Sequence, residues 1–459
     1  MSCFSVLIRP LREEDAQISC SWRNDPEVWI YTGNRPNRFI TPEIEVEWIK
    51  NVLAEKYSYR FAILADNKYV GNIQITNVVS EEGEYHIFIG EKDYWGKGIA
   101  TLATWQLLRY AKERLNLKRV YLVVNPQNTP AIRVYEKCGF VRVSDEIKME
   151  FDLSRDLRPT VSVFMMTYNH ETYIKKAIES ILFQKTNFDF DLVIGEDCSS
   201  DNTRSIILDL NVKYSGKLKL VLHDKNVGAV ENQRSVLSAC TGKYIAWCEG
   251  DDYWTDPCKL QKQVEFLEKN DDFVLVGHLS KAIYENVNKP SEVYHNIKKD
   301  VLTKRDVIFS YILQAASIMF RRDALEKINA SAIRVEHSLY IILAQHGKFK
   351  VLPEVMSVYR VHDKGASGTS TPQEAYPGQL DWIGNLKRVM GRNFFWGYHF
   401  LTSKVHTYYA IKHPEVFTKG ILYKYYYFFK YAFLMLILYP RNIKSVFRMV
   451  PDLIRINLK

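Results

Sequence analysis

Short apolar runs of strand length punctuate the first third of the chain. RFAILA (60–65), VGNIQIT (70–76) and YHIFIG (85–90) each predict a strand. The period then changes. Ile99, Leu102, Ala103, Leu107, Tyr110 and Ala111 recur at helical spacing and share one face. A strand RVYLVV (119–124) and a further helix follow, and the charged stretch DLSRDLRP (152–159) reads as a linker closed by a proline. A second series then begins with VSVFMMTY (161–168) and a helix within 171–184. Strand DLVIGED (191–197), a helix after Asp201, strand KLKLVLH (217–223), a helix from Glu231 and strand KYIAWCE (243–249) come next. Strands alternating with helices predict an α/β fold with a mainly parallel sheet covered on both faces. Ligands of such sheets gather beyond the C-terminal strand ends. There is no internal repeat or low-complexity tract.

Length changes the picture from one domain to several, since 459 residues are long for one core. The pattern divides into 1–155, 156–375 and 376–459. Hydrophobic content of 47% and charged content of 25% are ordinary for a globular protein. Seven cysteines, odd in number and without paired metal-type spacing, predict reduced thiols in a cytosol instead of a disulfide scaffold or zinc site. The opening MSCFSVLIRPLREED turns charged too soon for a signal peptide, so a cytoplasmic location is expected. The net charge of +9 is uneven: residues 379–459 hold 13 Lys and Arg against 3 Asp and Glu, leaving 49 against 50 elsewhere. A basic tail crowded with aromatics points to an anionic membrane surface more than to nucleic acid.

In DYWGKGIATLATWQLLRYAKE, Gly96 and Gly98 stand just ahead of an amphipathic helix. Glycines let backbone N–H groups approach a phosphate, and the helix N-terminus adds its positive end. An ordinary loop would also explain a lone pair of glycines; the downstream NTPAIRVYEKCGF (128–140) strengthens the signal. Together these segments resemble the GNAT acetyltransferases over about the first 150 residues. The resemblance implies that Trp95, Gly96, Lys97, Gly98, Ile99 and Ala100 grip the pyrophosphate of acetyl-CoA. It implies that Asn128 contacts the cofactor and that Tyr135 protonates the leaving thiolate. Asp93 stands where the family often has Gln or Arg. Glu84 and His86 alternate on the preceding strand and share a face, so either could deprotonate the attacking amine; a solvent-facing strand edge is the alternative. SWRNDPEVW (21–29) is similar to the acceptor segment of relatives that acetylate nucleotide-linked amino sugars or protein N-termini. Trp22 and Arg23 there are substrate-binding candidates, with packing and a surface ion pair as the alternative.

CEGDDYWTDP (248–257) sets Glu249, Asp251 and Asp252 within four residues at a strand end. Like charges so close repel, which calls for a positive partner, unless the segment is only an Asp-rich turn capping the next helix. With VSVFMMTYNHETYIKKAIESILFQ, GEDCSSDNT and NVGAVENQRSVLSACTGKYIAW, it resembles the family 2 glycosyltransferases of GT-A fold, from about Pro159 to about Ser370. The resemblance implies that Thr167, Tyr168, Asn169, Glu171, Asp197 and Trp254 bind the nucleotide-sugar donor. It further implies that Glu249 and Asp251 hold the diphosphate through Mg²⁺ or Mn²⁺; Glu249 replaces a commoner Asp. The resemblance also implies a general-base carboxylate a fixed distance before a Gly-Lys pair; counting back from Gly347, that position is Glu336, again where Asp is commoner, with His337 beside it. His362 in YRVH matches a position near the metal or diphosphate, or is structural.

Tyr425 to Tyr439 form an apolar-aromatic stretch of 15 residues interrupted by Lys430, short of the about 20 that span a bilayer. Lys419, Lys424, Arg441, Lys444 and Arg448 flank it. A peripheral membrane contact is expected, with a packed helical layer as the alternative. The fold expected is a GNAT domain, then a Rossmann-like GT-A domain, then a helical, basic tail. The expected enzyme is bifunctional, working in bacterial surface polysaccharide assembly. In the alternative, the first domain is a CoA-binding docking or regulatory module, or acetylates a protein amine.

Overall fold

The computed structural model describes residues 4–31, 36–143, 148–154, 157–214, 217–285, 289–294, 299–309, 313–326, 333, 336–362, 371–413, 416 and 421–438. Two compact units divide the chain, Met1–Phe266 and Leu267–Lys459.

The first unit contains both α/β series. Strands β1 (Val6–Pro10), β2 (Tyr59–Ala65), β3 (Lys68–Val79), β4 (Glu82–Ile89), β5 (Arg119–Val123), β6 (Val141–Arg142) and β7 (Lys148–Asp152) form one sheet in the order β1-β2-β3-β4-β5-β7-β6. Its helices are α1 (Ala16–Asn24), α2 (Pro42–Leu53), α3 (Ile99–Glu113) and α4 (Thr129–Cys138). Local chemistry sets their ends. Thr41 caps α2 by accepting from Ile44 N, with Pro42 in the first turn, and Gly139 ends α4 at φ 97°. The predicted stripe on α3 lies in the core: Ile99, Leu102, Ala103, Leu107 and Ala111 are buried. Strand β4 pairs with β5 only from Glu82 to Glu84, so its remaining length runs on without that neighbour.

Strands β8 (Val161–Thr167), β9 (Phe190–Glu196), β10 (Leu218–Leu222) and β11 (Tyr244–Trp247) form a wholly parallel set in the order β10-β9-β8-β11. Helices α5 (Ile174–Leu182), α6 (Thr203–Lys213) and α7 (Ala229–Ala239) make the crossovers. The short strand β12 (Tyr253–Trp254) and α8 (Lys259–Lys269) follow. These are the elements the alternating pattern predicts, shifted by one to three residues at their ends.

The two series are packed together within this unit. Arg109 on α3 forms a buried ion pair with Asp189, just before β9. Lys217 Nζ, also buried, lies 3.6 Å from Asp189 Oδ1 and donates to Phe190 O at 3.2 Å. Burial pushes the Lys217 ammonium down to about 8, against the pull of Asp189, and raises the Asp191 carboxyl. Lys185 pairs with Asp66 at 2.8 Å, and Phe4 bridges to Thr186.

The second unit holds β13 (Phe273–Tyr284), β14 (Glu292–Tyr294), β15 (Val301–Leu302), β16 (Met319–Arg321) and β17 (Lys348–Val361). Strand β13 is parallel to β17 and antiparallel to β14 and β16, while β15 is antiparallel to β17. Its helices are α9 (Lys304–Phe309), α10 (Asp323–Glu326), α11 (Glu336–Leu343), α12 (Pro372–Met390), α13 (Phe395–Lys412) and α14 (Ile421–Leu438). The helical tail thus folds as α12 to α14. Lys419, Arg441, Lys444 and Arg448 lie outside the described residues. No helix among the described residues is long and apolar enough to cross a membrane.

Breaking one member of a buried charge cluster leaves the others without compensation. Asp189→Asn should therefore destabilise the protein by about 3 kcal/mol. The urea midpoint of the full chain, followed by tryptophan fluorescence, checks this; an unchanged midpoint would show the cluster to be energetically neutral.

Candidate active sites

The loop before α3 is arranged as the glycine pattern predicts. Gly96 and Gly98 take φ of 71° and 80°, conformations that L side chains rarely adopt, and a Cβ at either would meet open space. Gly98 is the N-cap of α3 and no side chain caps that helix, so its first N–H groups face the loop. Trp95 is 45% exposed and its indole donates to Ile89 O at 2.8 Å, fastening the loop to the end of β4. Lys97 Nζ lies 5.6 Å and 5.5 Å from the rings of Phe4 and Tyr94. Ile99 is buried and Ala100 half-buried in the first turn of α3.

Asn128 caps α4, its side-chain oxygen accepting from Ala131 N at 3.3 Å. Tyr135, on the same helix, is buried and packs edge-on against Tyr85 at 5.7 Å. Burial raises its phenol, which keeps it protonated. Glu84 and His86 do come together. His86 Nε2 lies 3.6 Å from Glu84 Oε1 and 3.1 Å from Thr76 Oγ1, while Asn77 donates to Glu84 Oε2 at 2.7 Å. Burial lowers the His86 imidazolium, with Glu84 opposing and Arg60 reinforcing, so the ring favours its neutral, basic form.

Trp22 and Arg23 are packed. Trp22 is 3% exposed, donates to Glu91 Oε1 at 3.1 Å and lies 4.7 Å from the Tyr69 ring. Arg23 pairs with the buried Glu45 at 3.2 Å and lies over Trp48 at 3.9 Å.

In the second series the candidate residues converge where a parallel sheet presents them. Thr167 ends β8, Asp197 follows β9 and Glu249 follows β11, all at the C-terminal edge. Asp197 accepts from Val227 N at 2.7 Å and Gly228 N at 3.0 Å, holding the approach to α7 against the strand end. Asn169, at φ 57°, donates its N–H to Ser199 Oγ and accepts from Ser200 N at 2.9 Å. Glu171 Oε2 accepts from Asn202 N at 3.1 Å. These bonds tie the loops after β8 and β9 together, and Tyr168 is 44% exposed.

Glu249 accepts from Trp247 Nε1 at 2.7 Å and from Met166 N at 3.3 Å, so its carboxylate is aimed by the strand below. Asp251 Oδ2 lies 3.8 Å from His170 Nε2, and His170 Nδ1 lies 3.2 Å from Thr167 Oγ1. The third carboxylate, Asp252, is buried. Gly250 permits this closeness: a Cβ there would sit 2.7 Å from Thr167 Oγ1 and 2.9 Å from His170 Nδ1. Trp254 is buried, donates its backbone N–H to Ser180 Oγ and carries Lys259 Nζ 4.0 Å from its ring.

His170 belongs to this cluster and was not among the predicted site residues. Its only signal was its place in TYNHETY, three residues after Thr167; a lone histidine in sequence says nothing of an acid 81 positions on.

Among the described residues no group of three His, Cys, Asp or Glu is placed to hold a metal ion. The donor set still suits a hard cation of the Mg²⁺ type, which commonly takes one or two carboxylates and completes its shell with substrate phosphates and water.

Glu336 and His362 lie in the second unit. Glu336 opens α11 and is half-buried. His337 is held by Val307 O at 3.1 Å, and burial lowers it to about 4. His362 is buried directly after β17.

Comparison with known proteins finds two families in the chain, and the second match runs across the boundary between the two units. Residues 5–141 match the family described as acetyltransferase (GNAT) domain, and residues 162–329 match glycosyl transferase family 2. An uncharacterized protein of Mycobacterium tuberculosis H37Rv is 35% identical over 211 residues, 45% of this chain and 60% of the relative. The chain thus spans less than two thirds of such mycobacterial relatives. A Bacillus subtilis protein, named as a candidate teichuronic acid biosynthesis glycosyltransferase, is 28% identical over 40% of this chain and 70% of its own length. Spermidine N(1)-acetyltransferase of Escherichia coli is 29% identical over 37% of this chain and 89% of its own length. Among solved structures, Staphylococcus aureus TarS 1–349 in complex with UDP-GlcNAc aligns at a TM-score of 0.44 and 16% identity. It covers 62% of this chain and 83% of that structure. The chain therefore joins a GNAT acetyltransferase domain, residues 5–141, to a family 2 glycosyltransferase domain, residues 162–329.

Proposed function

We propose that the protein is a bifunctional enzyme of bacterial surface polysaccharide or glycoconjugate assembly. It N-acetylates an amino sugar carried on a nucleotide, using acetyl-CoA. It also transfers a glycosyl group, with inversion, from a nucleotide-sugar to a carbohydrate or lipid-linked acceptor at the inner face of the plasma membrane. The meeting of Thr167, His170, Glu249 and Asp251 at the C-terminal edge of a parallel sheet carries this reading.

In the acetyl transfer, the loop of Gly96 and Gly98 and the uncapped start of α3 receive the cofactor's phosphates. His86, favoured in its neutral form and supported by Glu84, takes the proton from the amine as its nitrogen attacks the thioester carbonyl. The C–S bond breaks, and Tyr135, held in its protonated form by burial, returns a proton to the thiolate.

In the glycosyl transfer, residues 167–171 and Asp197 hold the nucleoside. Glu249 and Asp251 would hold Mg²⁺ or Mn²⁺ on the diphosphate. When bound, such an ion offsets the negative charge that develops as the C1–O bond to the diphosphate breaks. Glu336 takes the proton of the acceptor hydroxyl as its oxygen attacks C1 from the opposite face. The name of the Bacillus relative supports the polysaccharide setting.

Products of a panel of nucleotide-linked amino sugars incubated with acetyl-CoA, read by mass spectrometry, test the first activity. One acetyl group gained on nitrogen is expected; an unchanged panel rejects the amino-sugar reading.

The pH dependence follows from His86. Its pKa lies below the ordinary histidine value, so the basic form persists as pH falls through about 6.5 and is lost only at lower pH. The acetyl-transfer kcat/KM should stay level through that range and fall below it, and His86→Gln should remove the inflection. Tyr135→Phe should lower kcat by about 10²-fold with CoA affinity kept, as isothermal titration would report.

Chelation should abolish glycosyl transfer and added Mn²⁺ or Mg²⁺ restore it. Asp251→Asn should lower glycosyl transfer at least about 10²-fold and leave acetyl transfer intact. Glu336→Gln should retain donor binding while turnover falls about 10²- to 10⁴-fold. Turnover within a few-fold of the unsubstituted protein would assign the base elsewhere.

A further inference from the structure

The last two helices bury one side and show a very different one. Phe400, Leu401, Tyr409, Phe428, Tyr431 and Leu434 are buried. On α14, Tyr426, Phe429 and Phe433 are 55%, 65% and 60% exposed. Spaced three and four apart, they form one stripe. The first turn of α13 adds Phe395 and Trp396 at 48% and 53%. The two groups adjoin: the Phe395 ring lies 4.5 Å from His399, and His399 Nδ1 lies 3.3 Å from Lys430 Nζ, which stands 5.6 Å from the Tyr426 ring.

Cations border this aromatic surface. Lys387 and Arg392 are exposed, Lys387 lying 4.1 Å from the Tyr398 ring. Between Gln379 and His413 the sequence holds one acidic residue, Asp381. Exposed apolar surface of this extent marks a contact, and its composition says with what. Tryptophan and tyrosine beside lysine and arginine match the headgroup layer of a bilayer, where an apolar ring body and a wet cation are both satisfied. The excess of basic over acidic residues in 379–459, 13 against 3, disfavours a second copy of the same face and favours an anionic surface. No described helix can cross the membrane, so the contact is with its surface.

We infer that Phe395 and Trp396 of α13, with Tyr426, Phe429 and Phe433 of α14, form a docking face for an anionic lipid bilayer. The rings enter the headgroup layer, and Lys387, Arg392 and Lys430 meet the lipid phosphates. This rests on the proposed lipid-linked acceptor, to which such docking would bring the transferase.

The full chain should co-sediment with phosphatidylglycerol-containing vesicles, and much less with pure phosphatidylcholine, and should be released as salt rises. Phe429→Ser combined with Phe433→Ser should weaken vesicle binding at least about tenfold. Lys387→Gln with Arg392→Gln, substitutions at solvent-facing positions that leave the packing intact, should weaken it roughly fivefold for each charge removed. Glycosyl transfer to a water-soluble acceptor, measured on the same preparations, separates the two ideas. Vesicle binding lost in the variants with soluble transfer retained supports docking. Vesicle binding by the unsubstituted chain that the variants weaken, with no transfer by any form, rejects the transferase reading and leaves docking standing. Failure of the unsubstituted chain to bind anionic vesicles overturns the inference. So does equal binding by both variants, or a lipid-free dimer that the serine substitutions dissociate.

Discussion

A parallel sheet covered on both faces has few places for charge, and its C-terminal edge is the chief of them. Strands β8, β9 and β11 are buried nearly throughout; Ser162 and Asp191 lie near the starts of β8 and β9, and the candidate site residues come where each strand stops. Thr167, Asp197 and Glu249 each stand at such a stop. The carboxylates there repel one another, and the protein contains that repulsion with donors from its own frame. Trp247 and Met166 take Glu249, Val227 and Gly228 take Asp197, and His170 stands beside Asp251. Asp251 lies beside His170 at this edge, where the proposed cation and diphosphate would meet it.

The same economy of buried charge joins the two α/β series. Helix α3 begins at the glycine loop and, some ten residues on, sends Arg109 to Asp189 before β9, the strand that leads to Asp197. Both candidate anion sites are therefore built on one continuous frame of packed elements within the first unit. Packing of this kind resists continuous deformation, which ties the loop and the sheet edge to one frame.

The elements themselves were legible because their signals are local. Apolar runs of four to eight residues, a helical stripe on α3 and Gly98 just ahead of a helix survive in any context. Contacts that join distant segments were not. His170 and Asp251 stand 81 positions apart, and only the register of β8 beside β11 brings them together. The stretch 152–159 reads as a linker from its charges, yet the buried pair of Arg109 and Asp189 crosses from one series to the next. Trp22 shows the opposite difficulty. An aromatic near an acceptor segment suggests substrate, whereas its indole is spent on Glu91 and its ring on Tyr69.

Tail chemistry separates two properties that composition blends. An aromatic, basic stretch in sequence is compatible with a packed layer or with a lipid contact, and the helices satisfy both descriptions on different sides. Phe428, Tyr431 and Leu434 close the interior, while Tyr426, Phe429 and Phe433 interleave with them on the outside. A helix that only packed would be expected to carry polar residues at those outer positions, because exposed phenyl rings in water gain nothing for the fold. Retaining rings at those positions is what the proposed lipid contact would account for. The proposed membrane attachment and a packed helical layer are thus compatible within one structure.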